Sequence, residues 1–169
     1  MNISSLHLLF DYNYWANGQI LETAKKVTEA QFLAPAEFPY GGLRGTLVHL
    51  LEGEWAWRVR FETQAYVPDL PETEFPTLAV IEARWKEEET AMRAYLARIS
   101  DEDLEKGVTY PIDDGKTRTR ILWHCLVHVV NHGTQHRSEA AALLTRYGQS
   151  PGDIDFTIFL NHFHPPTDI

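Results

Sequence analysis

The sequence predicts an all-α protein: an up-and-down four-helix bundle with short extra helices and room for a small hairpin before the last long helix. Three observations predict it. Four segments repeat their apolar residues at helical spacing, and each is about twenty residues or longer, the length of a bundle helix. The segments are separated by chain breakers, Pro35, Pro39, Gly41 and Gly42 in one place and Pro68, Pro71 and Pro76 in another. The chain has 169 residues, 44% of them hydrophobic, enough to build a core within one domain spanning residues 1–169.

The first helix is expected to follow Ser4 or Ser5, either of which can accept a hydrogen bond from a free first-turn N–H, and to run to about Val27. Leu6, Leu9, Asn13, Ala16, Ile20, Ala24 and Val27 mark its inner face, widened by Tyr12 and Trp15. Thr28 to Gln31 has the form of a capping box for a short turn. The second long helix reads from Leu43 to Thr63, with Glu54 among Leu43, Leu47, Leu50, Trp57 and Phe61 on one face. The third reads from near Thr77 to near Ile99, and Glu87, Glu88 and Glu89 form its expected solvated face. Ser100 to Asp103 caps another short turn.

Between Gly107 and Thr119 the period changes. Val108, Tyr110 and Ile112 alternate with polar residues, and Asp114–Gly115 suits a two-residue turn, so a hairpin and an irregular loop are both compatible. The fourth long helix reads from Arg120 to Tyr147, with Gly148 placed to end it. Asp153 or Asp155 caps a last short helix through Phe156–Leu160.

Composition narrows the function classes. A net charge of −9 with no Lys/Arg-rich run argues against nucleic acid and against an anionic membrane surface. Cys125 is the one cysteine and can form no internal disulfide, which together with the lack of a signal-peptide pattern sets the expectation of a cytoplasmic protein. No run of apolar residues is long enough to span a bilayer.

The fourth long helix carries His124, His128, His132 and His136, every gap being four residues. At ~100° per residue each step drifts only ~40° around the helix axis, so neighbouring histidines lie on one face about a turn apart. Two imidazoles placed so can bind one ion, as in the H-E-x-x-H helix. That motif's glutamate is missing, since Gly133 follows His132, so a zincin-type protease is not indicated. Solitary helix histidines are ordinarily core or surface residues. Four in a ladder are harder to explain without a metal, because burying several imidazoles together costs desolvation. The spacing does not choose among the pairs 124/128, 128/132 and 132/136. A catalytic site commonly has three protein ligands and an open position. The third must come from another helix, and His49 lies inside the second, with Gly53 a turn further on to leave space beside it. His7, His162 and His164 lie near the termini and are weaker candidates.

Four stretches resemble the DinB/YfiT-like family of four-helix-bundle metalloproteins. They are Tyr12–Asn17 in the first helix, His49 with Glu54 and Trp57 downstream, His128 to Arg137, and Gly148 to Phe156. The resemblance implies a divalent metal held by one histidine of the second helix and two of the fourth, which match His49, His132 and His136. It leaves His128 as a packing or supporting residue. Glu54 and Asn131 are then the expected partners for ligand N–H groups. The stretch after the last ligand departs from the family's His-Arg-Gly-Gln. It reads His136-Arg137-Ser138-Glu139, a change expected to alter the surroundings without touching the ligands.

Three neutral imidazoles suit Zn²⁺ or Ni²⁺ and leave the ion's full charge to activate water or a thiol. The expected function is a metal-dependent enzyme that activates a small-molecule thiol for transfer to an electrophile, as relatives in the family do. The alternatives are a metal-dependent hydrolase and a non-catalytic metal-binding stress-response protein. A homodimer acting on a small molecule fits each of them. Glu52, Glu54, Glu139 and His128 are candidates for general acid or base, and Arg137 for binding an anionic group or for a surface ion pair. Cys125 reads as a small core residue.

Overall fold

The structure, a computed structural model, describes residues 1–112 and 115–166. In chain order its elements are α1 (Ile3–Ala24), α2 (Glu29–Leu33), α3 (Leu43–Thr63), α4 (Leu78–Leu96), α5 (Asp101–Leu104), β1 (Gly107–Pro111), β2 (Thr117–Ile121), α6 (Leu122–Arg146) and α7 (Phe156–Phe163). The four long helices form the expected bundle.

Each of α1 and α3 packs on both α4 and α6, so α1 and α3 occupy opposite corners. Side-chain pairs give the directions. Along α3 and α4, Glu54 meets Trp85, Arg58 meets Glu88 and Phe61 meets Tyr95, so the two helices run the same way. Along α3 and α6, His49 meets His132 while Trp57 meets His128, so these two run oppositely. The resulting order is up, down, down, up. The helical bundle is as expected but its up-and-down alternation is not: the long connection between α3 and α4, with its Pro68, Pro71 and Pro76, makes a same-direction pair reachable.

The core is two apolar clusters along the bundle axis. Leu6, Phe10, Met92, Leu126 and Val129 belong to one, and Ile20, Leu47, Ile81, Leu143 and Leu144 to the other. Between them lies a layer of buried polar side chains: Asn13, Asn17, Glu54 and Arg137. The bundle therefore has a polar waist, and the histidines stand beside it.

Several terminal details follow the sequence. Thr28 and Ser100 each form a capping box, Asp155 caps α7, and Gly148 has the positive φ (77°) that ends α6. Others differ. The cap of α1 is Asn2, whose side chain accepts from the Ser5 N–H, rather than Ser4 or Ser5, and α1 stops at Ala24, a turn before Val27. Glu88 is not on a solvated face. It is fully buried and receives both Nε and Nη2 of Arg58, at 2.5 and 2.7 Å, so a charge that looked exposed is neutralised inside. The hairpin is present, with Gly107 paired to Ile121 and Pro111 to Thr117. Its pairing continues as the Ile112 N–H to Lys116 carbonyl bond, so the connection is longer than a two-residue turn. Asp114 of the expected Asp114–Gly115 turn lies outside the described residues. No helix among the described residues is long and apolar enough to cross a membrane.

Candidate metal centre

The histidine ladder of α6 winds gradually out of the bundle, as a ~40° drift per step requires. His136 is buried, His132 is partly buried, and His128 and His124 are exposed. The ladder's own geometry thus singles out its inner end. Antiparallel α3 delivers His49 to the same place. The ring nitrogens of His49, His132 and His136 can all lie within 4.8 Å of one another. Nε2 of His49 is 3.1 Å from Nε2 of His132. Two nitrogens bound at ~2.0–2.1 Å to one tetrahedral ion stand roughly 3.3 Å apart, so this trio has the spacing of a metal site and could hold an ion. His7, His162 and His164 do not join this cluster.

Local sequence explains how the rings reach one another. A Cβ added at Gly53 would lie 2.6 Å from Cε1 and 2.8 Å from Nδ1 of His132. The missing side chain makes room for His132 across the helix interface, more than for His49 on its own helix. Tyr40 closes one side. Its ring stacks on His49 with centroids 3.4 Å apart and planes 9° apart, and it meets His136 edge-on at 5.2 Å. Its backbone lies close on the first turn of α3. A Cβ at Gly45 would stand 2.1 Å from the Tyr40 carbonyl oxygen, so only glycine allows that approach. Sequence reasoning treated this loop as a chain break and missed Tyr40. The signal was an aromatic residue inside a Pro39-Tyr40-Gly41-Gly42 turn that leads into a histidine helix.

Neither expected partner meets an imidazole ring. Glu54 does not contact a histidine. It is buried and accepts from Asn13 and Asn17 at Oε1 (2.8 and 2.7 Å) and from Trp85 at Oε2 (3.1 Å). Asn131 faces solvent. The carboxylates that do meet the rings lie three residues along the same helices. Glu139 Oε2 is 2.8 Å from His136 Nδ1, and Glu52 Oε2 is 3.6 Å from His49 Nδ1. Glu139, expected to leave the ligands untouched, is therefore in direct contact with one. Holding Nδ1 of His136 in this way leaves Nε2 to face the centre.

Electrostatics favour the neutral ring of His132. Burial first, and then the neighbouring His136, His49, His128 and Arg137, depress the His132 pKa to about 3. Burial and then Glu52, Glu139 and Asp69 raise that of Tyr40. Glu52 also holds the Asp69 carboxyl above its ordinary value, so two acids share the mouth of the site near His49.

Arg137 is neither an exposed anion binder nor a surface ion-pair partner. It is 1% exposed, and donates through Nη1 to Asn13 Oδ1 (2.5 Å) and Asn17 Oδ1 (2.9 Å) and through Nη2 to Thr134 Oγ1 (3.1 Å). The two asparagines thus bridge a buried guanidinium to a buried carboxylate. A Cβ at Gly133 would strike both Asn13 Oδ1 and Arg137 Nη1, at 2.6 and 2.7 Å. Cys125 is a buried core thiol, as expected. The last of the four motif stretches docks on α1, where Tyr12 Oη donates to the Ile154 carbonyl and its ring meets Phe156 at 5.2 Å.

The sequence profile of the DinB family matches residues 1–165. Protein DinB of Bacillus subtilis (strain 168) is 25% identical over 161 residues, covering 90% of this chain and 91% of that protein.

Proposed function

The chain belongs to the DinB family, and we propose that it is a divalent-metal enzyme that transfers a small-molecule thiol to an electrophilic substrate, with His49, His132 and His136 as the ligands of one Zn²⁺ or Ni²⁺ ion. The observation that carries the reading is the convergence of three histidine ring nitrogens within 4.8 Å, with the Nε2 atoms of His49 and His132 3.1 Å apart. A +2 ion held by these three neutral imidazoles would keep its charge and would supply the acidity that turns a thiol or water into a nucleophile.

The chain's own residues supply the rest. Glu139 fixes the tautomer and tilt of His136. Tyr40 presses on His49 and shields one side from water. Glu52 and Asp69 stand at the mouth, where a carboxylate can accept the proton that a thiol releases. The reaction in balance is a thiol plus an electrophile bearing a leaving group. The sulfur–carbon bond forms, the bond to the leaving group breaks, and the thiol proton, taken up by the carboxylate, passes to that group and restores the carboxylate. A small-molecule thiol, an organic electrophile and a homodimeric assembly belong to the same proposal.

The test is metal analysis of tag-free protein, followed by a screen of thiol consumption with electrophiles on protein loaded with Zn²⁺ or Ni²⁺. About one ion per chain and thiol loss that needs the loaded protein are expected. Product formation that proceeds equally without thiol would convert the reading to hydrolysis. Failure of either ion to bind would overturn the metal assignment.

A further inference from the structure

A second cavity, about 420 Å³, opens between the hairpin and the first half of α6, lined by Trp57, Tyr110, Arg118, Arg120, His124 and His128 among others. Its size is within the range of small-molecule sites. Among the described residues, no Asp or Glu lines it.

The arginines here belong to the half of the chain's arginines that form no ion pair among the described residues. Arg44, Arg58, Arg84, Arg93 and Arg98 each lie against a carboxylate. Arg60, Arg118 and Arg120 form no ion pair among the described residues, although the chain has 24 acidic residues for 15 basic ones. Arg118 and Arg120 are two apart on β2, so they project from the same face of the hairpin. The Nε of Arg120 donates to Tyr110 Oη at 3.2 Å, which holds its guanidinium plane. Arg60 lies 5.2 Å from the Trp57 ring centroid and 5.7 Å from that of Tyr110. Its Nε is buried with no hydrogen-bond partner among the described residues. Two guanidinium groups, those of Arg118 and Arg120, line the cavity and repel each other, and a bound oxyanion would relieve that repulsion.

The cavity also borders the histidine cluster. His128, in its wall, has its ring centroid 5.7 Å from that of His132. The separation along α6 is one four-residue step, roughly 6 Å.

We propose that this cavity binds an oxyanion, a carboxylate or a phosphate, carried by the small molecule that reacts at the neighbouring histidines. Arg118 and Arg120 hold the anion, and Trp57 and Tyr110 offer flat surfaces to the body of the molecule. The reacting atom then lies about one helical turn away. The anion site stands on the arginine geometry alone, and its link to the reaction rests on the function proposed above.

The test separates the two. Inorganic phosphate and succinate are titrated into isotope-labelled, metal-stripped native protein at low ionic strength, and into the His49→Ala variant. The arginine Nε–H and Trp57 indole resonances are followed. Saturable shifts confined to Arg118, Arg120 and Trp57 are expected in both proteins, since neither needs metal for this step. Arg118→Gln and Arg120→Gln should each weaken binding by roughly tenfold, the cost of losing a charge-assisted contact. Arg118→Gln leaves the Tyr110 contact intact and so reports on the anion and not on the hairpin. Tighter phosphate assigns a phosphoryl group, and tighter succinate assigns a carboxylate. The inference is overturned if neither anion saturates the shifts, or if both variants bind as the native protein does. Loss of metal loading in the native protein with anion binding intact would sink the metal reading and leave this site standing.

Discussion

The Glu54–Arg137 lattice and the His49–His132–His136 cluster are drawn from the same helices, α3 and α6, and both interrupt the apolar core. They treat buried polar atoms in opposite ways. In the lattice, Asn13 and Asn17 each accept from Arg137 and donate to Glu54, and Trp85 Nε1 takes the other carboxylate oxygen. A positive and a negative charge are bridged by neutral amides, and little capacity for a ligand remains. In the cluster, the Nδ1 atoms of His49 and His136 face carboxylates while ring nitrogens converge on one another. Three imidazoles offer lone pairs at a point where the protein provides too few donors. A saturated network holds the waist of the bundle, and an unsaturated one beside it is left to take something from solution.

The largest expected effect tests the saturated side. Glu54→Ala should destabilise the metal-free protein by about 3–5 kcal/mol, because Arg137 is left buried without its counter-charge. His49→Ala should cost no more than about 1–2 kcal/mol, since it removes a partly exposed ring. Urea unfolding of both variants decides it, and equal losses would erase the distinction between the two regions.

Metal affinity probes the unsaturated side. His49→Ala and His132→Ala should each lower Zn²⁺ affinity by on the order of a hundredfold, whereas His124→Ala and His128→Ala change it little. Competition with a chromophoric chelator measures this, and similar losses across all four would mean that the ion sits elsewhere on the ladder. Glu139→Gln should follow at about ten- to hundredfold, because its carboxylate orients His136. An unchanged affinity would reduce that contact to a surface ion pair.

Acidification sharpens the comparison in the metal-free protein. The His132 pKa is depressed to about 3 in the folded state, below the ordinary ~6.5 of an unfolded imidazole. Between those values the unfolded chain binds the extra proton, so stability is full above pH ~6.5 and declines as the pH falls toward 3. His132→Ala should flatten that part of the profile. An unaltered slope in thermal unfolding across pH 4 to 7 would show that His132 is not the group responsible. Metal release should begin in the same window, near pH 6, while helix content persists.

The smallest effect is the most diagnostic of packing. Gly53→Ala should gain up to ~1 kcal/mol of helix propensity and still weaken metal binding, because the new Cβ falls 2.6 Å from the His132 ring. A variant more stable and equally tight would show that His132 has room to shift.

Information local to one helix was legible in the sequence. The apolar period located all four long helices, and α3 matches its expected bounds at Leu43 and Thr63, with Gly42 at its start and Gln64 in the left-handed conformation at its end. The i, i+4 ladder pointed to a shared ligand, and the family resemblance picked the three histidines that converge. The Glu139 contact was there to be read but was misread: Glu139 lies three residues from His136 on the same helix, a spacing at which side chains meet, yet the sequence reading leaves the ligands untouched. What the tertiary structure alone decided concerns pairs of residues on different elements. Glu88 reads as one of three exposed glutamates until Arg58 of α3 covers it. Arg137 reads as a surface cation until Asn13 and Asn17 of α1 enclose it. Gly53 reads as space beside His49 until α6 brings His132 against it, and Tyr40 is a loop residue until the Gly45 approach lays it on His49. Helical period is set by contacts within about four residues and so is written in the local sequence. The choice of neighbour depends on how long connections fold back, and residues 30, 120 or 124 positions apart carry no shared period from which to read it.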